Sequence, residues 1–188
     1  MNFTRDWFTD RTGSWLTRLR YLREIPDARG LEIGSYEGRS AVWTVENILT
    51  GPGSILTCVD PWSETAWERW KPRYGVMNSI RRRFYNNTAK YRAAGRIVPV
   101  QMRSNEFFRR ASPGETYDFV YVDGCHTKSQ ALNDMRESWI RLRPGGAMVV
   151  DDVTMKSVLK ACESWLTAAR HVEEMEPSYN QRFFRRLG

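Results

Sequence analysis

Apolar positions along this chain fall into short runs, and between them the apolar spacing switches to that of helices. Gly30-Leu31-Glu32-Ile33, Ile55-Leu56-Thr57-Cys58-Val59, Ile97-Val98-Pro99-Val100, Tyr117-Asp118-Phe119-Val120-Tyr121-Val122 and Gly146-Ala147-Met148-Val149-Val150 read as buried strands. Trp15, Leu16, Leu19 and Leu22 mark one face of a helix over about residues 13–23, closed by the Pro26-Asp27 turn. A second helix, over about residues 38–49, stops at Gly51-Pro52-Gly53, and others are predicted over about residues 105–111, 129–142 and 157–169. Two last runs, His171-Val172-Glu173-Glu174-Met175 and Gln181-Arg182-Phe183-Phe184, predict an antiparallel hairpin. The alternation predicts an α/β fold: a doubly wound, mostly parallel seven-stranded sheet with helices on both faces and a C-terminal antiparallel hairpin. Residues 1–27 read as a cover for the sheet. Residues 61–95 are too long for a simple crossover and rich in aromatics, Trp62, Trp67, Trp70, Tyr74, Phe84, Tyr85 and Tyr91 among them, which predicts a mobile lid with one helix. No linker-like stretch divides residues 1–188, so one domain is expected.

The strand ends carry the chemistry. Asp123 closes one apolar run and Asp151-Asp152 another, and the carboxyl ends of parallel strands lie along the edge where open α/β sheets bind ligands. A cluster of carboxylates there suits a hard divalent cation such as Mg²⁺. Leu31-Glu32-Ile33-Gly34-Ser35-Tyr36-Glu37-Gly38-Arg39-Ser40 is a strand, a glycine-bearing turn and a helix start, which lets backbone approach a ligand and offers N–H groups to an anion. Its Gly-x-x-x-Gly spacing is not the Gly-x-Gly-x-x-Gly of dinucleotide binders. The next strand ends at Asp60, placed to accept hydrogen bonds from two ribose hydroxyls and so implying a nucleoside cofactor; a turn residue ahead of Pro61 is the competing explanation.

Over about residues 28–155 the chain resembles the class I S-adenosylmethionine-dependent methyltransferases. Within them it resembles the metal-dependent O-methyltransferases, both the catechol O-methyltransferase group and the enzymes acting on macrolide sugars. Leu-Glu-Ile-Gly-Ser-Tyr-Glu-Gly-Arg-Ser, Tyr-Val-Asp-Gly-Cys-His and Arg-Pro-Gly-Gly-Ala-Met-Val-Val-Asp-Asp carry the match. The resemblance implies a Rossmann-like methyltransferase fold with S-adenosylmethionine as cofactor. It sets Glu32, Gly34, Ser35, Tyr36 and Ser40 at the methionine end, Asp60 at the ribose, Ser104 and Asn105 at the adenine, and Asp123 near the amino group. It implies Asp123, Asp151 and Asp152 as ligands of Mg²⁺ or another divalent cation, and His126 as the general base, whose ordinary pKa of about 6.5 suits the task. Three assignments have structural competitors: a helix cap for Ser104, a helix cap for Asp152, and a helix-start residue or fourth metal ligand for His126. Asp152 departs from the catechol branch, which has an amide there, and agrees with the sugar-modifying branch. Trp62, Trp67 and Trp70 read either as an apolar wall over the acceptor or as core, and Lys128 and Asn133 as neighbours of the substrate.

Composition narrows the partners. The net charge of +7 comes mostly from arginine, with clusters at Arg81-Arg82-Arg83 and around Arg182, Arg185 and Arg186, which keeps nucleic acid open as a partner although no nucleic-acid-binding motif accompanies them. Cys58, Cys125 and Cys162 form neither a disulfide framework nor a zinc site, fitting a reducing cytoplasm. No apolar run is long enough to cross a bilayer and none resembles a signal peptide, so a soluble cytoplasmic protein without a membrane partner is expected. Aromatics near Trp7 and Phe8 leave room for a homo-oligomer. The leading expectation is a metal-dependent O-methyltransferase acting on a small hydroxylated acceptor: a sugar, a polyketide-derived product or a catechol-like molecule. Methylation of RNA or another polyanion is the second reading, and a non-catalytic cofactor-binding protein the third.

Overall fold

The computed structural model describes residues 1–63, 77–178 and 180–188. Its centre is a seven-stranded sheet in the order β3-β2-β1-β4-β5-β7-β6. The strands are β1 (Arg29–Ile33), β2 (Ile55–Val59), β3 (Ile97–Val100), β4 (Tyr117–Val122), β5 (Leu142–Val150), β6 (Val172–Ser178) and β7 (Gln181–Arg186). The first five are parallel, and β7 runs antiparallel to both β5 and β6. The expected doubly wound sheet and terminal hairpin are both present.

Side-chain alternation along the strands separates two cores, one on each face. Leu56, Cys58, Phe119, Tyr121, Ala147, Val149 and Phe183 point to one face. There they meet α1 (Thr12–Leu19) and α2 (Arg39–Asn47) through Trp15, Leu19, Val42 and Val45, and α3 (Met77–Asn87) through Phe84. Leu31, Ile33, Val120, Val122, Met148, Val150 and Phe184 point to the other. They are covered by Phe107 and Phe108 of α5 (Ser104–Arg110), Met135 and Trp139 of α6 (Lys128–Arg141), and Cys162 and Trp165 of α7 (Lys156–Leu166).

Three expectations about elements change. The first helix ends at Leu19 and continues as a 3-10 turn over Arg20–Leu22. Two helices, α3 and the short α4 (Ala89–Ala93), rather than one occupy the described end of the 61–95 stretch. Trp67, Trp70, Tyr74 and the expected lid over 64–76 lie outside the described residues. β5 begins at Leu142, ahead of the apolar run that starts at Gly146: pairing with β4 jumps from Tyr117–Leu142 to Phe119–Ala147, a bulge with Gly145 at φ 84°.

Candidate active site

β1 delivers the glycine turn to the sheet edge. Gly34 has φ 85°, and a Cβ there would lie 2.0 Å from the backbone oxygen of Asp123. Only glycine lets the tips of β1 and β4 meet so closely. The turn is braced from below by Asp60. Its Oδ2 accepts from the N–H groups of Ser35 (3.0 Å) and Tyr36 (3.1 Å), and its Oδ1 from that of Trp62 (2.7 Å). Burial raises the Asp60 pKa, and these three bonds pull it back. The carboxylate thus shapes the turn first and retains one acceptor direction on Oδ1 for a ligand. Trp62 is itself buried, donating from Nε1 to Tyr36 O at 2.9 Å and packing on Phe84 at 4.6 Å, so it is core rather than an exposed wall.

Glu32, on β1, is fully buried, and neither carboxylate oxygen makes a hydrogen bond of good geometry. Burial pushes its pKa up to about 8, with the Ser35 and Ser40 hydroxyls pulling the other way. A buried carboxylate without a donor is a site waiting for a cation or a hydrogen-bond donor. Above it, Gly34, Ser35, Tyr36, Ser40 and Asp123 form one wall of a cavity, and Arg5, Trp7 and Phe8 of the N-terminal segment close the other. That segment is tied down by Thr4, whose N–H and hydroxyl donate to the Glu37 carboxylate (2.7 and 2.6 Å), and by an Arg39–Asp6 pair at 3.3 Å.

At the tips of β4 and β5, Asp123, His126 and Asp152 converge: one ligand atom from each can be chosen so that all lie within 4.8 Å of one another. His126 Nε2 is 3.0 Å from Asp152 Oδ2, and this contact, outweighing burial, lowers the Asp152 pKa. Asp123 behaves oppositely; burial and the charges of Asp151 and Asp152 raise its pKa well above the carboxylate range. Asp152 has φ 55°, whereas the next helix begins at Lys156 with Met155 at its N-cap, so Asp152 does not cap it.

Asp151 faces the interior. Its Oδ1 accepts from Asn180 Nδ2 (2.8 Å) and the Asp152 N–H (2.7 Å), and its Oδ2 from Gln181 Nε2 (3.0 Å) and the Tyr121 hydroxyl. Arg11 Nε stands 3.5 Å from Oδ2. Gln181 Oε1 accepts in turn from Trp15 Nε1 at 2.8 Å, while the Tyr121 oxygen lies 3.3 Å from Asp123 Oδ2. The geometry therefore groups Asp123, His126 and Asp152 at the opening and ties Asp151 to the hairpin and the N-terminal cover. Sequence reasoning missed Tyr121, Asn180, Gln181 and Arg11. Tyr121 carried a signal, sitting two positions before Asp123 on the same strand face.

Ser104 and Asn105 open α5. The N-cap position is Arg103, so Ser104 is not the cap; its hydroxyl accepts instead from Gln130 Nε2 at 3.1 Å. Asn105 is exposed and its Oδ1 accepts from the Glu106 N–H at 2.9 Å. Lys128 is exposed and Asn133 half-buried on α6.

This architecture, with its glycine turn on β1 and acids at the tips of β2, β4 and β5, is that of a class I methyltransferase. The chain belongs to the methyltransferase-domain family, whose pattern matches residues 31–153. Among solved structures it is similar to the O-methyltransferase TomG of Streptomyces achromogenes, involved in tomaymycin synthesis and solved with S-adenosylmethionine. That likeness has a TM-score of 0.69 and 18% identity over 94% of this chain and 80% of the other. It is equally similar to a Bacillus cereus O-methyltransferase solved with S-adenosylhomocysteine, with a TM-score of 0.69 and 15% identity over 97% of this chain and 82% of the other. No curated protein matches it in sequence.

Proposed function

We propose that the chain is a divalent-metal-dependent O-methyltransferase acting on a hydroxyl of a small molecule. The observation that carries this reading is the grouping of Asp123, His126 and Asp152 beside the Gly34 cavity. An Asp123 carboxylate whose proton affinity is raised by burial and by the charges of Asp151 and Asp152 is a fit for a hard cation, and the buried Glu32 fits a cofactor bearing an ammonium group. In this reading Asp123 and Asp152 hold the cation, with Asp151 directly behind them. Glu32, Ser35, Tyr36 and Ser40 line the methionine end, Asp60 keeps Oδ1 toward the ribose, and Ser104 and Asn105 stand on the adenine side.

When bound, S-adenosylmethionine supplies an electrophilic methyl and the cation lowers the pKa of the acceptor hydroxyl. Asp152 pairs with His126 Nε2 and so leaves Nδ1 to take the acceptor's proton, the orienting role a carboxylate plays toward a histidine base. The N-terminal residues Trp7 and Phe8 keep water from the reacting atoms. The sugar-branch likeness at Asp152 supports a sugar or polyketide-derived acceptor over a flat catechol.

The test is methyl transfer to a panel of small hydroxylated acceptors, with and without chelation. Activity lost to EDTA and restored by Mg²⁺ or Mn²⁺ is expected; turnover that survives thorough chelation removes the metal from the reading.

A further inference from the structure

Arg11 touches both the acid cluster and the cover over the cavity. Its Nε stands 3.5 Å from Asp151 Oδ2, and this nitrogen is buried without a hydrogen-bond partner. Its Nη1 donates to the carbonyl oxygen of Trp7. Trp7 packs on Tyr36 at 5.0 Å and lines the cavity together with Arg5 and Phe8. One side chain therefore joins the tip of β5 to the segment that closes the cavity. At Asp151 it is held by charge rather than by a hydrogen bond, so its hold depends on how negative the cluster remains.

The Arg11 charge reaches all three acids. Burial raises the pKa of Asp123 and of Asp151, and Arg11 opposes it at both. At Asp152 the hydrogen bond from His126 lowers the pKa, and Arg11 acts in the same direction. The contact is close: the Tyr121 hydroxyl donates to Asp151 Oδ2, the oxygen that Arg11 faces, and lies 3.3 Å from Asp123 Oδ2. A divalent cation on Asp123 and Asp152 and a guanidinium on Asp151 are drawn by the same acids but repel each other. Each binds less tightly in the presence of the other, and by the same factor.

We propose that Arg11 is a cation-sensitive strap: it ties the N-terminal cover to Asp151, and its hold loosens when Asp123 and Asp152 take a divalent cation. The proposal rests on the divalent-metal reading of the site. Phe8, buried edge-on against Trp15 and Trp43 at 5.0 and 5.5 Å, anchors the cover. The Asn2–Asn87 and Thr4–Glu37 bonds and the Arg39–Asp6 pair set how often the rest of it opens, and the cation multiplies that frequency. Arg11 acts through Asp151 and is a positioning residue. Its signature is a sign: removing its charge tightens cation binding, whereas loss of a merely structural contact would weaken binding or leave it unchanged.

The experiment is calorimetric titration of the full chain with Mg²⁺ and with Mn²⁺, without cofactor or acceptor. Arg11→Met, which keeps an apolar stem, is expected to bind either ion about tenfold more tightly than the wild type, within the usual range of coupling between sites. Arg11→Lys, which keeps the charge, should return the affinity most of the way to the wild-type value. Hydrogen exchange over residues 2–9 supplies the reciprocal measurement: saturating Mg²⁺ should speed it about tenfold in the wild type and leave it unchanged in Arg11→Met. A folded Arg11→Met protein whose cation affinity is equal or weaker overturns the proposal and leaves the metal reading standing. Wild-type exchange that ignores Mg²⁺ also overturns it, and this measurement decides alone if Arg11→Met does not fold. A wild type that binds neither ion overturns both readings.

Discussion

Glu32 offers the cleanest test at the scale of single residues. Its pKa is raised from 4.5 to about 8 in the folded chain, chiefly by burial. A raised carboxylate pKa means that the folded state holds the proton more tightly, so the stability it contributes is full below about pH 4.5 and is lost as pH rises through 8. Glu32→Gln should therefore raise the melting temperature at pH 8 to 9, by about 2–4 °C for each kcal/mol recovered, and change little at pH 5. Thermal scans across pH check this; a variant whose pH profile parallels the wild type contradicts it. His126→Ala should lower kcat about 10²–10⁴-fold while S-adenosylhomocysteine still binds, as expected on removing a base rather than a cofactor contact. Gly34→Ala should fail to assemble the site at all, since its Cβ would overlap the Asp123 carbonyl, and a drop in melting temperature together with lost cofactor binding would report it.

Among the elements, the hairpin and the N-terminal cover do more for the site than their positions in the chain announce. β7 contributes Gln181 and the preceding turn contributes Asn180, and both hold Asp151. Trp15→Phe keeps the aromatic packing of α1 but leaves Gln181 Oε1 buried and unpaired, which should cost about 1–3 kcal/mol in denaturant unfolding. The same elements mark where sequence was legible. Most of the parallel strands were readable because burial on both faces gives continuous apolar runs such as Phe119 to Val122, and those of β2, β4 and β5 end in acids. The glycine turn was readable because a positive φ demands its residue type. The partners of Asp151 were not, because a glutamine at the start of Gln181-Arg182-Phe183-Phe184 is equally compatible with solvent until β7 is placed against β5. Nor could spacing reveal that Asp60 spends most of its acceptor capacity on Ser35, Tyr36 and Trp62, three backbone donors from two separate segments.

For the molecule as a whole, the arginine excess takes on a different meaning once its partners are known. Arg182 forms a forked pair with Glu174 at 2.6 and 2.7 Å, Arg83 pairs with Glu37, and Arg186 donates to the carbonyl of Trp139 at 2.9 Å. These cations tie β6 to β7, α3 to the glycine turn and the sheet to α6, so much of the charge is structural. Methyl transfer to a small acceptor should then change less than about threefold between 50 and 200 mM salt. A polyanion held by 6–10 phosphate contacts would lose roughly 10³–10⁵ in affinity over that range, and a loss on that scale would favour a nucleic-acid acceptor. Among the described residues no helix is long and apolar enough to cross a membrane.

The bond from Trp15 to Gln181 spans 166 positions of the chain. During synthesis Trp15 leaves the ribosome long before the residue that completes its pairing is made. Asp151 likewise waits for Asn180 and Gln181 before its hydrogen bonds are complete. A chain interrupted ahead of β7 would carry every motif of the site yet leave Asp151 without two of its donors, so the site is complete only once β7 has closed.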